Sequence, residues 1–142
     1  MNIQAVKTEE GLKQCFPLMS QLRPYLTRDD FISQVFEQFN SGYELAALFS
    51  GNEKEVVALA GYRLSQNLAW GKFLYVDDLV TDDQHRSQGY GHTLLDWLLN
   101  TARENNCDQF HLDSGVQRID AHRFYKREGL ELASYHFSTL LK

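Results

Sequence analysis

Residues 76–106 form the stretch that most constrains how this chain can fold. An apolar strand ends at Thr81, a polar loop runs from Asp82 to Arg86, and Arg86-Ser-Gln-Gly-Tyr-Gly leads into an amphipathic helix. Glycines allow a tight turn, and the first N–H groups of a helix lack intrahelical partners at the positive end of its dipole. This order is typical of a site that holds a phosphate group. An ordinary strand-to-helix turn is the alternative at this point.

Length and charge narrow the classes of protein to which the chain can belong. Its 142 residues suit one domain, predicted to span residues 1–142. The net charge of −5 argues against a general nucleic-acid binder. We find no signal sequence and no apolar run approaching a membrane span, so neither nucleic acid nor membrane is an expected partner. Two cysteines make no disulfide framework, which favours a reducing, cytoplasmic location.

Hydrophobic periodicity predicts an α/β fold with the element order β-αα-βββ-α-β-α-β. The sheet is expected to be mixed and mostly antiparallel, with flanking helices and at least one right-handed strand–helix–strand crossover. Thr8 and Thr27 are predicted N-caps of the first two helices, Pro17 should bend or split the first, and Asp120 should cap a helix over residues 121–128. The predicted strands are 2–6, 43–50, 56–65, 72–81, 108–113 and 133–141.

Three stretches carry a family resemblance. Arg86-x-x-Gly89-x-Gly91 matches Arg/Gln-x-x-Gly-x-Gly/Ala, the pyrophosphate loop of the GNAT superfamily of acyl-CoA-dependent N-acyltransferases. The segment from Ala121 to Gly129 is similar to its Ala-x-x-Phe-Tyr-x-x-x-Gly signature, and residues 71–79 resemble a strand of its diamine acetyltransferases. Apart from these three, residues 120–141 as a whole resemble the C-terminus of one subfamily, the aminoalkylphosphonate N-acetyltransferases. The resemblance implies a GNAT-like fold over nearly the whole chain.

The resemblance also implies acetyl-CoA as cosubstrate and assigns residues to hold it. The free edges of Leu79, Val80 and Thr81 would pair with the pantetheine arm. Arg118 stands where the family usually has asparagine, so Ser114 or Arg118 itself would take that contact. Backbone N–H groups would bind the pyrophosphate along the loop formed by Arg86, Ser87, Gln88, Gly89, Tyr90, Gly91 and His92.

Tyr125 matches the tyrosine that the family places beside the thioester sulfur as general acid. An unperturbed tyrosine has a pKa of about 10, so it can donate a proton at neutral pH. The alternative is a core aromatic beside Phe124, but neighbours on a helix face different directions. Arg123 or Lys126 is a candidate for the 3′-phosphate, unless these cations only form a solvated helix face.

Asp77 aligns with a glutamate of the diamine acetyltransferases and is the candidate general base. Because aspartate is shorter than glutamate, relay through a water is favoured over direct proton abstraction. Asp77 and Asp78 should point to opposite faces of their strand, so only one can line the cleft. A strand-edge charge or a backbone cap is the alternative role, and Glu44 and Tyr75 are reserve candidates.

The histidines show no close metal-ligand spacing, and no metal is predicted. They are His85, His92, His111, His122 and His136.

The sequence therefore predicts an N-acetyltransferase that passes the acetyl group of acetyl-CoA to a primary amine of a small molecule, in a ternary complex. Two alternatives stay open: a protein lysine or N-terminal acetyltransferase, and a non-catalytic CoA-binding module. A homodimer is a further possibility, because the last strand is aromatic and lies near a sheet edge.

Overall fold

The structure is a computed structural model that describes residues 2–52, 54–85 and 88–142. The predicted cofactor residues Arg86 and Ser87 lie outside the described residues. The chain divides into two compact units, Met1–His111 and Leu112–Lys142, which are described in turn.

Five strands form one sheet in the order β1-β2-β3-β4-β5. The β1–β2, β2–β3 and β3–β4 pairs are antiparallel, and β5 lies beside β4 after the helical connection. This confirms the predicted mixed, mostly antiparallel α/β sheet. The strands are β1 (Asn2–Ala5), β2 (Tyr43–Phe49), β3 (Val56–Asn67), β4 (Gly71–Thr81) and β5 (Gln109–Leu112).

The first unit holds three helices, α1 (Glu9–Leu22), α2 (Arg28–Phe39) and α3 (Tyr90–Glu104). Thr8 and Thr27 cap α1 and α2 as predicted, because their hydroxyls accept backbone N–H groups at 3.1 and 3.2 Å. Among the described residues, every helix is too short or too polar to traverse a bilayer.

Pro17 does not split α1, which is continuous across it. Proline removes one backbone hydrogen bond from a helix. The buried residues Cys15, Leu18 and Met19 pack this part of α1 into the core, and tertiary packing of this kind supplies most helix stability in proteins.

Helices α1 and α2 cover one face of the sheet. The burial of Cys15 in this layer raises the pKa of its thiol to about 12, so the thiol stays protonated at neutral pH. Other buried members of the cluster are Leu12, Met19, Phe31, Ile32, Val35, Leu45, Ala47, Phe49 and Leu59.

Helix α3 covers the other face. Ala46 and Leu48 alternate along β2 with the residues that contact α1 and α2, so they point to the opposite side. Tyr62 of β3 contacts Trp97 of α3 edge to face, with ring centroids 6.0 Å apart. The sheet is therefore covered on both faces.

The second unit contains α4 (Ile119–Arg127). The predicted N-cap at Asp120 is wrong, since Arg118 occupies the cap position. A turn in which the N–H of Arg118 donates to the carbonyl of Gly115, at 3.0 Å, starts the helix earlier. Gly129 ends it with a φ of +94°, the left-handed conformation expected of glycine there.

The last predicted strand, residues 133–141, is wrong: residues 130–142 form neither strand nor helix. Alternating apolar residues predict a strand, but a strand also requires a partner for its backbone groups. Tyr135, Phe137 and Leu141 are exposed instead.

Leu59 tests how much the central strand contributes to stability. Its side chain is fully buried, so Leu59→Ala should lower the free energy of unfolding by about 2–5 kcal/mol in urea titration. Leu68 is fully exposed, and Leu68→Ala should stay within about 0.5 kcal/mol of the parent chain. Equal losses in the two variants would contradict this account of the core.

Candidate active site

The glycine loop leads into α3 through a left-handed residue. Gly89 is the N-cap residue, with a φ of +81°, a conformation that strains residues with a Cβ. The first turn of α3 contains no acidic residue. The N-cap residue of α3 thus makes no side-chain hydrogen bond to the first turn. The described part of the predicted pyrophosphate loop, Gln88 to His92, lies at this helix N-terminus, and such a position favours binding of an anion.

The edge of β4 from Leu79 to Thr81 extends beyond β5. One edge of this stretch pairs with residues 58–60 of β3. On the other edge, β5 starts opposite Lys72, whose carbonyl accepts the N–H of Asp108 at 2.6 Å. The four residues of β5, at about 3.3 Å each, are too few to reach Leu79 from there. The predicted pantetheine edge is therefore not covered by β5.

A β-bulge in β4 places both adjacent aspartates on one side of the sheet. Gly61 pairs with Asp78 and Tyr62 pairs with Val76, so Asp77 is an extra residue in β4. An extra residue breaks the two-residue alternation of side chains. The prediction that Asp77 and Asp78 point to opposite faces is wrong for this reason, and both line one cavity.

Asp78 is held on both carboxylate oxygens. Arg23, which follows α1, donates from Nε and Nη2 to Oδ1 at 3.1 and 2.8 Å. The hydroxyl of Tyr43 donates to Oδ2 at 2.7 Å. Burial, followed by the negative charge of Asp78, raises the pKa of Tyr43, so its hydroxyl stays a donor. Asp78 thus connects α1, β2 and β4 through both of its carboxylate oxygens.

Asp77 is held on one oxygen. Nε of Arg63 donates to Oδ2 at 2.8 Å, and Nη2 of Arg63 donates to Oε1 of Gln38 at 2.7 Å. Burial raises the pKa of Asp77, and the hydrogen bond and positive charge of Arg63 oppose that rise. Asp77 therefore accepts hydrogen bonds at one carboxylate oxygen, whereas Asp78 accepts them at both.

The two aspartates lie in a cavity of about 430 Å³ formed by α1, α2 and the sheet. Its walls combine aromatic and apolar side chains with polar ones, including two glutamines. The lining residues are Met19, Arg23, Tyr25, Leu26, Phe31, Gln34, Val35, Gln38, Tyr43, Tyr75, Asp77 and Asp78.

The structure separates the two reserve candidates for the base. Tyr75 lines the cavity beside the aspartates. Glu44 pairs with Tyr62 across β2 and β3 and shares its side of the sheet, the side that faces α3. Glu44 therefore has no access to the cavity.

Tyr125 is half-buried on α4 in the second unit. Its ring contacts that of Phe124 edge to face, with centroids 5.4 Å apart, although neighbours on a helix were expected to face different directions. Burial raises the pKa of Tyr125, and the nearby charge of Arg118 only partly offsets the rise. The phenol thus stays protonated at neutral pH, as a general acid requires.

Ser114 and Arg118 flank a turn before α4. The Ser114 hydroxyl is buried and has no hydrogen-bond partner among the described residues. A buried hydroxyl is unfavourable without a partner, and an ordered water or a bound ligand can supply one. Arg123 and Lys126 are exposed on the same helix, and Arg123 lies 3.8 Å from Asp120.

Glu55, Asp82 and His85 come together although the sequence showed no metal-ligand spacing. Their ligand atoms lie within 4.8 Å of one another. Nδ1 of His85 is 3.1 Å from Asp82, and Nε2 of Gln21 donates to Asp82 at 3.2 Å. These contacts stabilise the carboxylate without an ion.

The model of the Acetyltransferase (GNAT) family matches residues 8–130. The chain belongs to this family. It is therefore a GNAT N-acetyltransferase, as the glycine loop and the tyrosine-bearing helix predicted.

Two relatives from curated collections support this membership. "Uncharacterized N-acetyltransferase YhdJ" of Bacillus subtilis (strain 168) is 32% identical over 139 residues, which cover 96% of each chain. The aminoalkylphosphonate N-acetyltransferase of Salmonella typhimurium is 30% identical over 128 residues, which cover 89% of this chain and 80% of the relative.

A solved structure has the same fold. The structure titled AAC(6')-Iy in complex with a bisubstrate analogue, CoA-S-monomethyl-acetylneamine, superimposes with a TM-score of 0.85 at 11% identity. It covers 99% of this chain and 97% of its own.

Sequence reasoning missed Arg23, Arg63, Tyr43 and Gly61. Their partners are distant in sequence, so periodicity does not reveal them. The available signals were an arginine inside an apolar strand, at position 63, and a glycine inside the same strand, at position 61. A Cβ at Gly61 would overlap the hydroxyl of Tyr43, so only glycine lets Tyr43 reach Asp78.

Tyr43→Phe should destabilise the fold because it leaves Oδ2 of Asp78 without its donor. Hydrogen bonds to charged groups contribute about 1.5–3 kcal/mol, which is the expected loss in free energy of unfolding. Tyr25 is largely exposed, so Tyr25→Phe should change it by about 0.5 kcal/mol or less. Matching stabilities in chemical denaturation would contradict the proposed role of Tyr43.

Proposed function

We propose that this protein transfers the acetyl group of acetyl-CoA to a primary amine of a small molecule, by direct attack in a ternary complex. The observation that carries the proposal is the bulge in β4. It turns the Asp77 carboxylate into the cavity, and the next residues of the same strand, Leu79 to Thr81, form the edge that β5 does not cover. An acceptor in the cavity and a cofactor arm on that edge would thus lie side by side.

The chain's own residues fit the cofactor. When bound, acetyl-CoA supplies the activated acetyl thioester. The N-terminus of α3 offers backbone N–H groups to a pyrophosphate, and the β4 edge offers N–H and C=O groups to an amide-containing arm. The Val80 amide would act as donor to the thioester oxygen. The unpaired hydroxyl of Ser114 supports its assignment, with Arg118, to the cofactor.

Tyr125 is the proposed general acid. Its raised pKa keeps a proton on the phenol at neutral pH, where it would protonate the departing thiolate.

Asp77 is the proposed general base, through a bound water. Its carboxylate lines a cavity of about 430 Å³, and a carboxylate of raised pKa is a stronger base than an exposed aspartate. The amine must lose its proton before attack, and Asp77 is suitably placed to receive that proton.

The cavity supports a small acceptor over a protein side chain. Helices α1 and α2 line it together with the sheet, whereas a protein substrate needs an open groove. The Salmonella relative's name keeps aminoalkylphosphonates among the amines to assay. A non-catalytic CoA-binding module would have no use for the proton donor Tyr125.

We also propose a single catalytic domain over residues 1–142, a cytoplasmic location and a homodimer. The exposed apolar residues Tyr135, Phe137 and Leu141 support the homodimer, because apolar surface of this kind often marks a protein contact. Sedimentation of the full chain over a concentration series would test it.

Tyr125→Phe should lower kcat by about 100-fold or more, because positioned general acids contribute about 10²–10⁴-fold. Affinity for CoA, measured by calorimetry, should be unchanged, since the ring is retained. The exposed Tyr135 provides a matched control, Tyr135→Phe. A CoA-binding protein with no turnover even before substitution would contradict the enzyme proposal.

The pH dependence of kcat/KM tests Asp77. A base acts when deprotonated, so activity should fall as the pH drops through the raised pKa of Asp77. This fall is the acidic limb of the pH profile. Asp77→Asn should abolish it and lower kcat/KM by about 100-fold.

Arg63→Met provides the matched test of the same limb. It removes the interactions that lower the Asp77 pKa, so the limb should move to higher pH. A limb that stays in place in Arg63→Met would identify another group as the base.

A further inference from the structure

We propose that the acceptor is a primary monoamine whose remaining atoms are uncharged, and that Arg23 and Arg63 set this preference. The inference rests on the proposed function and names the substrate class of the same cavity. It follows from how the charges in the cavity are paired.

Each carboxylate of the lining already has a cationic partner. Arg23 lies 2.8 Å from Asp78, and Arg63 lies 2.8 Å from Asp77. These two aspartates are the acidic side chains in the described lining. A first ammonium group loses its proton to become the nucleophile and leaves no lasting positive charge. A second ammonium group would need an unpaired carboxylate, which this lining does not offer.

The pairing is fixed by further contacts. Tyr43 holds the second oxygen of Asp78, and the guanidinium of Arg63 lies over the Tyr43 ring, 5.3 Å from its centroid. Gln38 accepts a hydrogen bond from Arg63. Releasing either carboxylate for a second ammonium would therefore break several interactions at once. Diamines and other polycations are unfavourable acceptors for this reason.

An anionic acceptor is unfavourable as well. Arg23 commits Nε and Nη2 to Asp78 and to the backbone carbonyl of Asp77. An anion beside that guanidinium would also lie near both carboxylates, and like charges repel. The cations of this site neutralise the protein's own acids and do not form a free anion site.

The remaining wall suits an uncharged body. Apart from Arg23 and the two aspartates, the described lining residues carry no charge, and Phe31, Val35 and Met19 among them are buried core residues. Burying a second charge beside such side chains is costly, because none of them can neutralise it.

The test compares three acceptors of equal chain length: 1-aminopentane, 1,5-diaminopentane and 5-aminopentanoate. They differ at the far end only, as methyl, ammonium and carboxylate. We expect kcat/KM, read as thiol released from acetyl-CoA, to be about tenfold or more higher for 1-aminopentane than for either charged analogue.

Arg23→Gln adds a second test within the chain. It uncovers the Asp78 charge while Tyr43 keeps its hydrogen bond, so the diamine-to-monoamine ratio of kcat/KM should rise about fivefold to tenfold. Arg63→Gln should raise the same ratio, because it removes the cationic partner of Asp77. The second variant keeps the test informative if the first one misfolds. Arg28 begins α2 on the exposed surface, and Arg28→Gln should leave the ratio within about twofold.

The outcomes separate this inference from the proposed function. A higher kcat/KM for 1,5-diaminopentane or 5-aminopentanoate would overturn the inference and leave the acetyltransferase intact. An unchanged ratio in both arginine variants would overturn the assigned role of the arginines. No thiol release with any acceptor would overturn the proposed function, and the inference with it.

Discussion

The hydrogen bonds from Arg23 and Tyr43 to Asp78 hold the walls of the cavity in the first unit in one arrangement. Asp78 lies in β4, Arg23 follows α1 and Tyr43 opens β2, so one carboxylate joins a helix end to two strands. The carboxylate is half-buried and fully bonded, and removing one partner would leave a charge without compensation. Because the bulge lies next to it, the same contacts fix where the Asp77 carboxylate points. The catalytic role proposed for Asp77 thus depends on the position of Asp78, a neighbour with no proposed catalytic role.

Two adjacent residues of one type have different environments here. Asp78 accepts from an arginine and a tyrosine on its two oxygens, while Asp77 accepts from Arg63 on one oxygen and also lines the cavity. Pairs of titratable groups whose surroundings differ in this way commonly divide structural and catalytic roles. Arg63 opposes the effect of burial on the Asp77 pKa and so limits how far it rises.

Much of the fold could be predicted from the sequence, because caps, turns and apolar periodicity are local signals. Thr8, Thr27 and Gly129 were found in this way, as was the glycine loop before α3. The failures have different physical causes. Residues 133–141 have a strand pattern, but no strand partner for their backbone. Asp120 has the chemistry of a cap, but the turn at Gly115 starts the helix first. The arginine partners of the two aspartates depend on tertiary contacts that no local pattern encodes.

The bulge at Asp77 also changes which residues of β4 face each side of the sheet. Before it, the odd-numbered residue Tyr75 faces the cavity; after it, the even-numbered Val80 packs on the same side, against the α1–α2 layer. The strand thus consists of two halves in opposite phase, joined at one inserted residue. Deleting position 77 would restore the regular alternation, and the residues before and after it would keep their present faces. A relative with a one-residue gap there would therefore have the same set of inward residues, so substitutions along this strand can be compared between chains once the inserted position is left out.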